Sequence, residues 1–404
     1  MGIGNKRIVV VGAGQAGGHA AMAARQADAA SEILLFGDEA YPPYERPPLS
    51  KSVLVGASSY EKTFLKPAAH YQERAIDLRL NQPVVAIDRQ AQRIMIDGGP
   101  SEPYDALILA LGARPRRLTV PGEGVVNAFY LRTIQDARAL RQAMTPPSRV
   151  VVVGAGLIGM EVAASARMLG CKVTIVEAAR SPLQRILAPS VADVFVDLHA
   201  GHGIEFRFGT MIESIESCGS ALKIATSSGL IEGDIVIIGI GAVPNQELAA
   251  ASGLIVEDGV VVDEFGRTSD PAISAAGDVT RHYNPVLGRY IRLESWQNAQ
   301  NQAIAVGTNV GGGRKAHAEV PWCWSDQFNA NLQVVGCPLS WDELVWRGDR
   351  ASSQFTTFYL KDGRVVGANA VNSPKDIRFA RMMVEQKCAV SGPDLANTAI
   401  KLAI

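Results

Sequence analysis

Val10-Val11-Gly12-Ala13-Gly14-Gln15-Ala16-Gly17 is matched later in the chain by Val152-Val153-Gly154-Ala155-Gly156-Leu157-Ile158-Gly159. A second pair of segments follows in the same order. Asp105-Ala-Leu-Ile-Leu-Ala-Leu-Gly112-Ala-Arg-Pro115 is echoed by Asp234-Ile-Val-Ile-Ile-Gly-Ile-Gly241-Ala-Val-Pro244. Two features repeated in one order make the chain a duplicated unit, and a single glycine motif could not show that. In each copy an apolar run, Arg7 to Val11 or Arg149 to Val153, reads as a buried parallel strand. An alanine-rich segment with helical spacing follows, Gly14 to about Ala27 and Gly156 to about Leu169. Second strands are expected at Glu32-Phe36 and Lys172-Glu177. Strand, turn, helix, strand is the setting in which G-x-G-x-x-G acquires meaning. Its first glycine makes the tight turn, the second lets backbone approach a pyrophosphate, and the third lets helix pack on strand.

Working outward, Thr63-Leu80 reads as helical at its start. Pro83-Asp88 with Arg93-Asp97, and Glu205-Phe208 with Leu222-Thr226, read as small meanders. Pro146-Pro147 marks a break before the second loop. The end of the chain differs in kind. Gln354-Leu360 and Arg364-Val371 flank Lys361-Asp362-Gly363, a hairpin signal, and Ser373-Pro374 opens a helix to about Gln386. The fold class expected is α/β, with two Rossmann-like domains and a C-terminal α+β domain. The borders expected are residues 1–112 with 242–318 for a split first domain, 113–241 for the second and 319–404 for the third.

Composition limits the function. With 39 basic and 40 acidic residues the net charge is -1, which argues against nucleic acid or an anionic membrane as the main partner of the chain. No apolar stretch reaches the ~20 residues of a membrane helix, and no signal-peptide core follows Met1-Asn5. A soluble, cytoplasmic protein is expected. Cys171, Cys218, Cys323, Cys337 and Cys388 form no C-x-x-C pair, so neither a zinc site nor a dithiol centre is expected. His199 and His202, spaced as metal ligands can be, lack an accompanying cluster and read as a surface helix end.

A carboxylate ending the second strand accepts from an adenosine ribose. Glu177 stands there in the second copy, eighteen residues past Gly159, and it repels a 2′-phosphate. That favours NADH, with Arg180 the nearby cation that could serve a phosphate. In the first copy Asp38 and Glu39 lie just beyond the strand, which suits a differently posed nucleotide such as FAD. Ile273-Ser-Ala-Ala-Gly277-Asp278 ends a short strand in Gly-Asp and presents a carboxylate at its edge. It reads either as a capped turn or as an acceptor for a ribityl hydroxyl of FAD.

Together these segments resemble the two-dinucleotide flavoprotein reductases of glutathione-reductase-like fold. More narrowly, Tyr44-Glu-Arg46-Pro-Pro-Leu-Ser-Lys51, Leu131-Arg132-Thr133, Glu294-Ser-Trp296-Gln-Asn298 and Trp324-Ser-Asp-Gln-Phe328 are similar to the FAD-dependent ferredoxin reductases that serve oxygenases. This resemblance spans nearly the whole chain. It implies FAD held by Gly12, Gly14, Ala16, Gly17, Asp38, Lys51, Val84, Arg132, Asp278 and Trp296. It implies NADH held by Gly154, Gly156, Leu157, Ile158, Gly159, Glu177, Arg185 and Gly241. Lys51 and Glu161 would form the catalytic pair beside the flavin. The activity implied is hydride transfer from NADH, then single-electron delivery to a [2Fe–2S] ferredoxin that supplies a haem-thiolate monooxygenase or a ring dioxygenase. Cys323, between Trp322 and Trp324, departs from the pattern, as does Tyr41-Pro42-Pro43.

Between Gly37 and Lys51 there is no cysteine, so electrons have no thiol relay there and must leave for an external acceptor. This weighs against an NADH oxidase or peroxidase. An NADH-regulated, flavin-bearing interaction protein is the reading from another class. Trp322, Trp324 and Gln327 would line a ferredoxin docking face or pack in a core. Arg314 with Lys315, or Lys375 with Arg378, would supply its cations or be ordinary surface charges. Monomer and homodimer are both compatible with the sequence.

Overall fold

The computed structural model describes residues 6–122, 124–219 and 221–402; the Met1-Asn5 lead-in lies outside them. The chain forms two compact units and passes between them repeatedly. Unit 1 runs up to Glu45, then takes Glu61–Arg114 and Val243–Pro321. Unit 2 holds Arg46–Tyr60, Pro115–Ala242 and the chain from Trp322.

Within unit 1 lie β1 (Arg7–Val11), α1 (Gln15–Ala27), β2 (Glu32–Phe36), β3 (Ile76–Arg79) and β4 (Ala106–Leu109). Unit 2 then supplies β5 (Ala128–Phe129), β6 (Arg149–Val153), α2 (Leu157–Met168), β7 (Lys172–Glu177), α3 (Pro189–Gly201), β8 (Glu205–Phe208) and β9 (Ile235–Ile238). Unit 1 resumes with β10 (Ile273–Ala275) and α4 (Trp296–Val310). Unit 2 ends with β11 (Trp322–Gln327), β12 (Ala330–Gly336), β13 (Glu343–Asp349), β14 (Gln354–Lys361), β15 (Arg364–Val371) and α5 (Pro374–Gln386).

The duplication survives in three dimensions. Unit 1 carries a parallel sheet in the order β10-β4-β1-β2-β3, and unit 2 one in the order β8-β7-β6-β9-β5. In each, the order reverses beside the first strand, which opens a crevice at the strands' carboxyl ends. Central strands are buried on both faces, which is why they read as unbroken apolar runs: Ile8, Val9, Val10, Val150, Val151 and Val152 are all buried. The aspartates of the repeated segments do one job twice. Asp105 accepts from Arg7 N at 2.6 Å, and Asp234 accepts from Arg149 N at 2.8 Å, pinning the start of each first strand.

The stretch 63–80 holds a helix at Ala68–Glu73, and its end, Ile76–Arg79, adds an outer parallel strand β3 that the sequence did not announce. One expectation is corrected: Glu205–Phe208 is the outer strand β8 and no part of a meander. Both are short edge strands with part of each exposed, so neither has the apolar run that identifies a central strand. The meander in unit 2 is Ile212–Cys218, Ala221–Thr226 and Gly229–Gly233. At the end of the chain, β11 to β15 form an antiparallel sheet in the order β11-β12-β15-β14-β13, on which α5 packs. Asp362 and Gly363 both take positive φ at the hairpin turn between β14 and β15. Ser373 occupies the cap position of α5, yet its side chain makes no cap hydrogen bond.

Candidate cofactor and redox site

The two glycine loops are superimposable in their chemistry. Gly12 has φ +105°, and a Cβ there would stand 2.3 Å from the Ala110 carbonyl oxygen across the crevice. Gly154 has φ +101°, with the Gly239 carbonyl oxygen 2.5 Å from such a Cβ. Only glycine fits either position. Gly14 and Gly156, by contrast, face open space, with nothing within 4 Å. Each is the N-cap of its helix and brings no side chain to cap it. The helices are 13 and 12 residues long, so each loop presents first-turn N–H groups and a positive dipole end to the open space before it. A pyrophosphate is the group that this donor set fits. Ala16 is buried behind the first loop; Leu157 and the exposed Ile158 start the second helix.

In unit 1 the Gly-Asp turn joins this cradle. Gly277 has φ +82°, and a Cβ on it would lie 2.8 Å from that of Ala16. Asp278 is therefore delivered beside the first turn of α1, half-buried. Gln15 Nε2 donates to the Trp296 carbonyl at 3.0 Å, tying that turn to the start of α4. Gln302, fully buried, accepts from Gly277 N and Thr280 Oγ1, both at 2.9 Å. Asp38 is exposed beyond β2, and Val84 is half-buried at the start of Val84–Asp88. A cavity of 430 Å³ opens elsewhere on α1, against His19, Met22 and Phe64, and includes none of the expected residues.

In unit 2, Glu177 is not a free carboxylate at a strand end. It accepts from Ala155 N at 2.6 Å and from Ala179 N at 2.8 Å, so it also braces the second glycine loop. Gly241 has φ +103°, and Arg185 Nη1 lies 4.0 Å from where its Cβ would be. Arg46 donates to the Arg132 carbonyl at 2.6 Å, joining the R-P-P-L-S-K segment to the L-R-T segment.

The same unit holds the charged pair. Lys51 Nζ lies 2.7 Å from Glu161 Oε2, with the carboxylate side chain 5% exposed. Ser50 Oγ donates to the same oxygen, and Ser325 Oγ donates to Oε1 at 2.6 Å. Ser165 Oγ donates to the Ser50 carbonyl at 2.6 Å and holds the loop on α2. Burial pushes the Glu161 carboxyl up from its ordinary range; Lys51, Ser325 and Ser50 pull the other way. A buried carboxylate receiving a cation and two hydroxyl protons is an ionised acceptor, kept charged by its donors.

The family resemblance pointed to Lys51 and Glu161 but not to Ser50, Ser165 or Ser325. Ser50 and Ser325 lay inside motifs already quoted; nothing local distinguishes Ser165. One expectation fails here, and one open alternative is decided. His199 is no surface histidine: it is fully buried, and its Nε2 lies 2.9 Å from Gln327 Oε1. Gln327 is fully buried too and does not face a partner. Trp322 and Trp324 stack on one another, 5.2 Å between centroids, and are half-buried. No disulfide forms among the five cysteines, and no metal-binding cluster occurs among the described residues.

Residues 6–303 match the family model of pyridine nucleotide-disulphide oxidoreductases, and residues 322–403 match that of the reductase C-terminal domain. The chain is 43% identical to the ferredoxin–NAD(+) reductase component of the anthranilate 1,2-dioxygenase system of Burkholderia cepacia, covering 98% of both chains. It is 41% identical to rhodocoxin reductase of Rhodococcus erythropolis, covering 98% of this chain and 94% of that protein. The crystal structure of a covalent putidaredoxin reductase–putidaredoxin complex matches with a TM-score of 0.95 at 35% identity, over 98% of this chain and 97% of that one. With its paired glycine cradles and these matches, the chain belongs to the pyridine nucleotide-disulphide oxidoreductase family, as an FAD- and NADH-dependent member of the ferredoxin–NAD(+) reductase branch.

Proposed function

We propose that this protein takes electrons from NADH and passes them singly to a ferredoxin of the [2Fe–2S] type, which supplies an oxygenase. It acts as a soluble, cytoplasmic enzyme; no helix among the described residues is long and apolar enough to cross a membrane. The domains follow the cradles: residues 1–112 and 242–318 serve FAD, 113–241 serve NADH, and 319–404 form the C-terminal domain.

Gly12, Gly14, Ala16 and Gly17 admit the FAD pyrophosphate to the N-terminus of α1. Asp278 accepts from its ribityl chain and Asp38 serves its ribose, while Val84, Trp296, Arg132 and Lys51 contact the rest. Gly154, Gly156, Leu157, Ile158 and Gly159 admit the NADH pyrophosphate, Glu177 accepts from its ribose, and Arg185 and Gly241 flank it. FAD, when bound, takes a two-electron hydride and can return electrons one at a time.

What the chain adds is position and charge. Lys51, anchored to Glu161, holds a fixed positive charge where negative charge develops, without the reorganisation that water would need. The observation that carries this reading is the buried Lys51–Glu161 pair, because Glu161 sits on the helix that opens with the second glycine loop. An oxidase or peroxidase that uses a loop cysteine has none available between Gly37 and Lys51.

The test is anaerobic stopped-flow reduction of the bound flavin by NADH and by NADPH, followed by ferredoxin-dependent cytochrome c reduction. Rapid reduction by NADH, slow reduction by NADPH and cytochrome c reduction only with ferredoxin present are expected. Preference for NADPH, or rapid oxygen consumption without ferredoxin, would overturn the reading.

A further inference from the structure

The Lys51–Glu161 pair is one end of a longer buried chain. Ser325 Oγ donates to Glu161 Oε1 at 2.6 Å, Gln327 Nε2 donates to Ser325 Oγ at 3.0 Å, and Gln327 Oε1 lies 2.9 Å from His199 Nε2. Ser325, Gln327 and His199 are fully buried. None of the three belongs to the residues assigned to either cofactor. They come from the C-terminal strand β11 and from α3, yet they converge on a carboxylate of α2.

The direction of every bond is forced. An ionised carboxylate only accepts, so the Ser325 hydroxyl must donate to it. That hydroxyl is then free only to accept, and the Gln327 amide group is the donor aimed at it. The Gln327 carbonyl oxygen is left facing His199, whose Nε2 must carry the proton. His199 Nδ1 is buried with no hydrogen-bond partner among the described residues, which a bare acceptor nitrogen tolerates better than an N–H would. Such a chain is a poor proton relay, because the Gln327 amide nitrogen, its lone pair delocalised into the carbonyl, only donates and does not take up a proton. What it can do is hold.

We infer that Ser325, Gln327 and His199 are positioning residues through which the C-terminal domain keeps Glu161 ionised and aimed at Lys51. This rests on the catalytic reading of Lys51 and Glu161. It gives the C-terminal domain a part in the hydride-transfer half of the reaction. The other titratable groups facing Glu161 do not compete. The Cys323 thiol, pushed up to about 12 by burial and then by Cys337 and Glu161, stays neutral at working pH. Burial lowers His199 to about 4 against the Gln327 hydrogen bond, so it too stays neutral.

The experiment follows the rate of NADH-dependent flavin reduction in the FAD-loaded, full-length protein from about pH 5.5 to about pH 9. Ser325→Ala removes one of the donors that oppose burial, so the acid limb should move up by about one pH unit or more. Ser325→Thr, which restores the hydroxyl, should return it towards the parent. Gln327→Leu, one bond further out, should shift it the same way by less. A folded Ser325→Ala protein with the parent's acid limb would overturn the inference. If that variant does not fold, an unmoved limb in Gln327→Leu overturns it instead. Glu161→Gln separates the two levels. It should abolish the limb; if it reduces flavin as the parent does, with the limb intact, the catalytic reading itself is wrong. If it behaves as expected while the Ser325 and Gln327 variants do not, only the present inference fails.

Discussion

Gly17 lies directly against Gly12: a Cβ on Gly17 would stand 1.8 Å from the Gly12 carbonyl oxygen. Gly159 stands in the same relation to Gly154, at 2.0 Å. The third glycine of each loop is therefore demanded by the protein's own packing. The middle glycine, with nothing within 4 Å, is not. That space is wide enough to admit a ligand's phosphates beside the helix N-terminus.

Gly14→Ala and Gly156→Ala should consequently fold normally and fail selectively. Gly14→Ala is expected to weaken FAD binding by at least about tenfold, the equivalent of one lost contact of ~1.4 kcal/mol. NADH binding should be untouched. Gly156→Ala should raise the KM for NADH and leave flavin content alone. Gly17→Ala should instead lower the melting temperature. Flavin retention on desalting, with thermal melting alongside, checks all three; equal losses from Gly14→Ala and Gly17→Ala would contradict the distinction.

Lys51→Met leaves Glu161 buried without its cation. Breaking a buried pair in this way costs about 3–5 kcal/mol, and a lost fixed charge beside the reaction should slow flavin reduction about a hundredfold. Glu161→Gln should slow the reaction with a smaller loss of stability, because the charge then left unpaired, on Lys51, is 18% exposed against 5% for Glu161. Urea unfolding and single-turnover flavin reduction separate the two effects. A Lys51→Met protein as fast as the parent would remove Lys51 from the mechanism.

Glu177 braces the loop through Ala155 N and Ala179 N, so its removal should do two things at once. Glu177→Ala is expected to raise the KM for NADH about tenfold. It should also improve NADPH relative to NADH, since the repulsion of a 2′-phosphate goes with the carboxylate. Steady-state kinetics with both nucleotides test this. An unchanged ratio would mean that Glu177 is only a brace.

Acid should destabilise the fold through three buried histidines. Burial lowers His199 to about 4, His282 to about 3 and His317 to about 4, in each case as the largest cause. Each folded-state value lies below the ~6.5 of an unfolded chain. Their contribution is thus fully present above about pH 6.5 and is lost as pH falls towards those folded values. Each should cost up to about 2 kcal/mol between about pH 7.5 and about pH 5. Neither ring nitrogen of His282 has a hydrogen-bond partner among the described residues, so His282→Leu should be tolerated at neutral pH and should flatten the pH dependence. Urea midpoints at both pH values are the measurement; parallel curves for parent and variant would show that His282 does not titrate in this way.

The sequence by itself determined the duplicated parallel sheets and both glycine loops, whereas Lys51 and Glu161 were singled out only through the resemblance to a known family. The sheets and loops depend on local rules: unbroken apolar runs for central strands, and glycine where φ is positive or backbones touch. Edge strands β3 and β8 escaped, because a short strand with exposed residues carries no such run. Only the tertiary structure decided the surroundings of Glu161. Ser50, Ser165, His199, Ser325 and Gln327 are ordinary polar residues in sequence, and His199 reads as a solvated helix end. Folding removes them from water, and a buried carboxylate must then find every donor within reach, however far along the chain it lies.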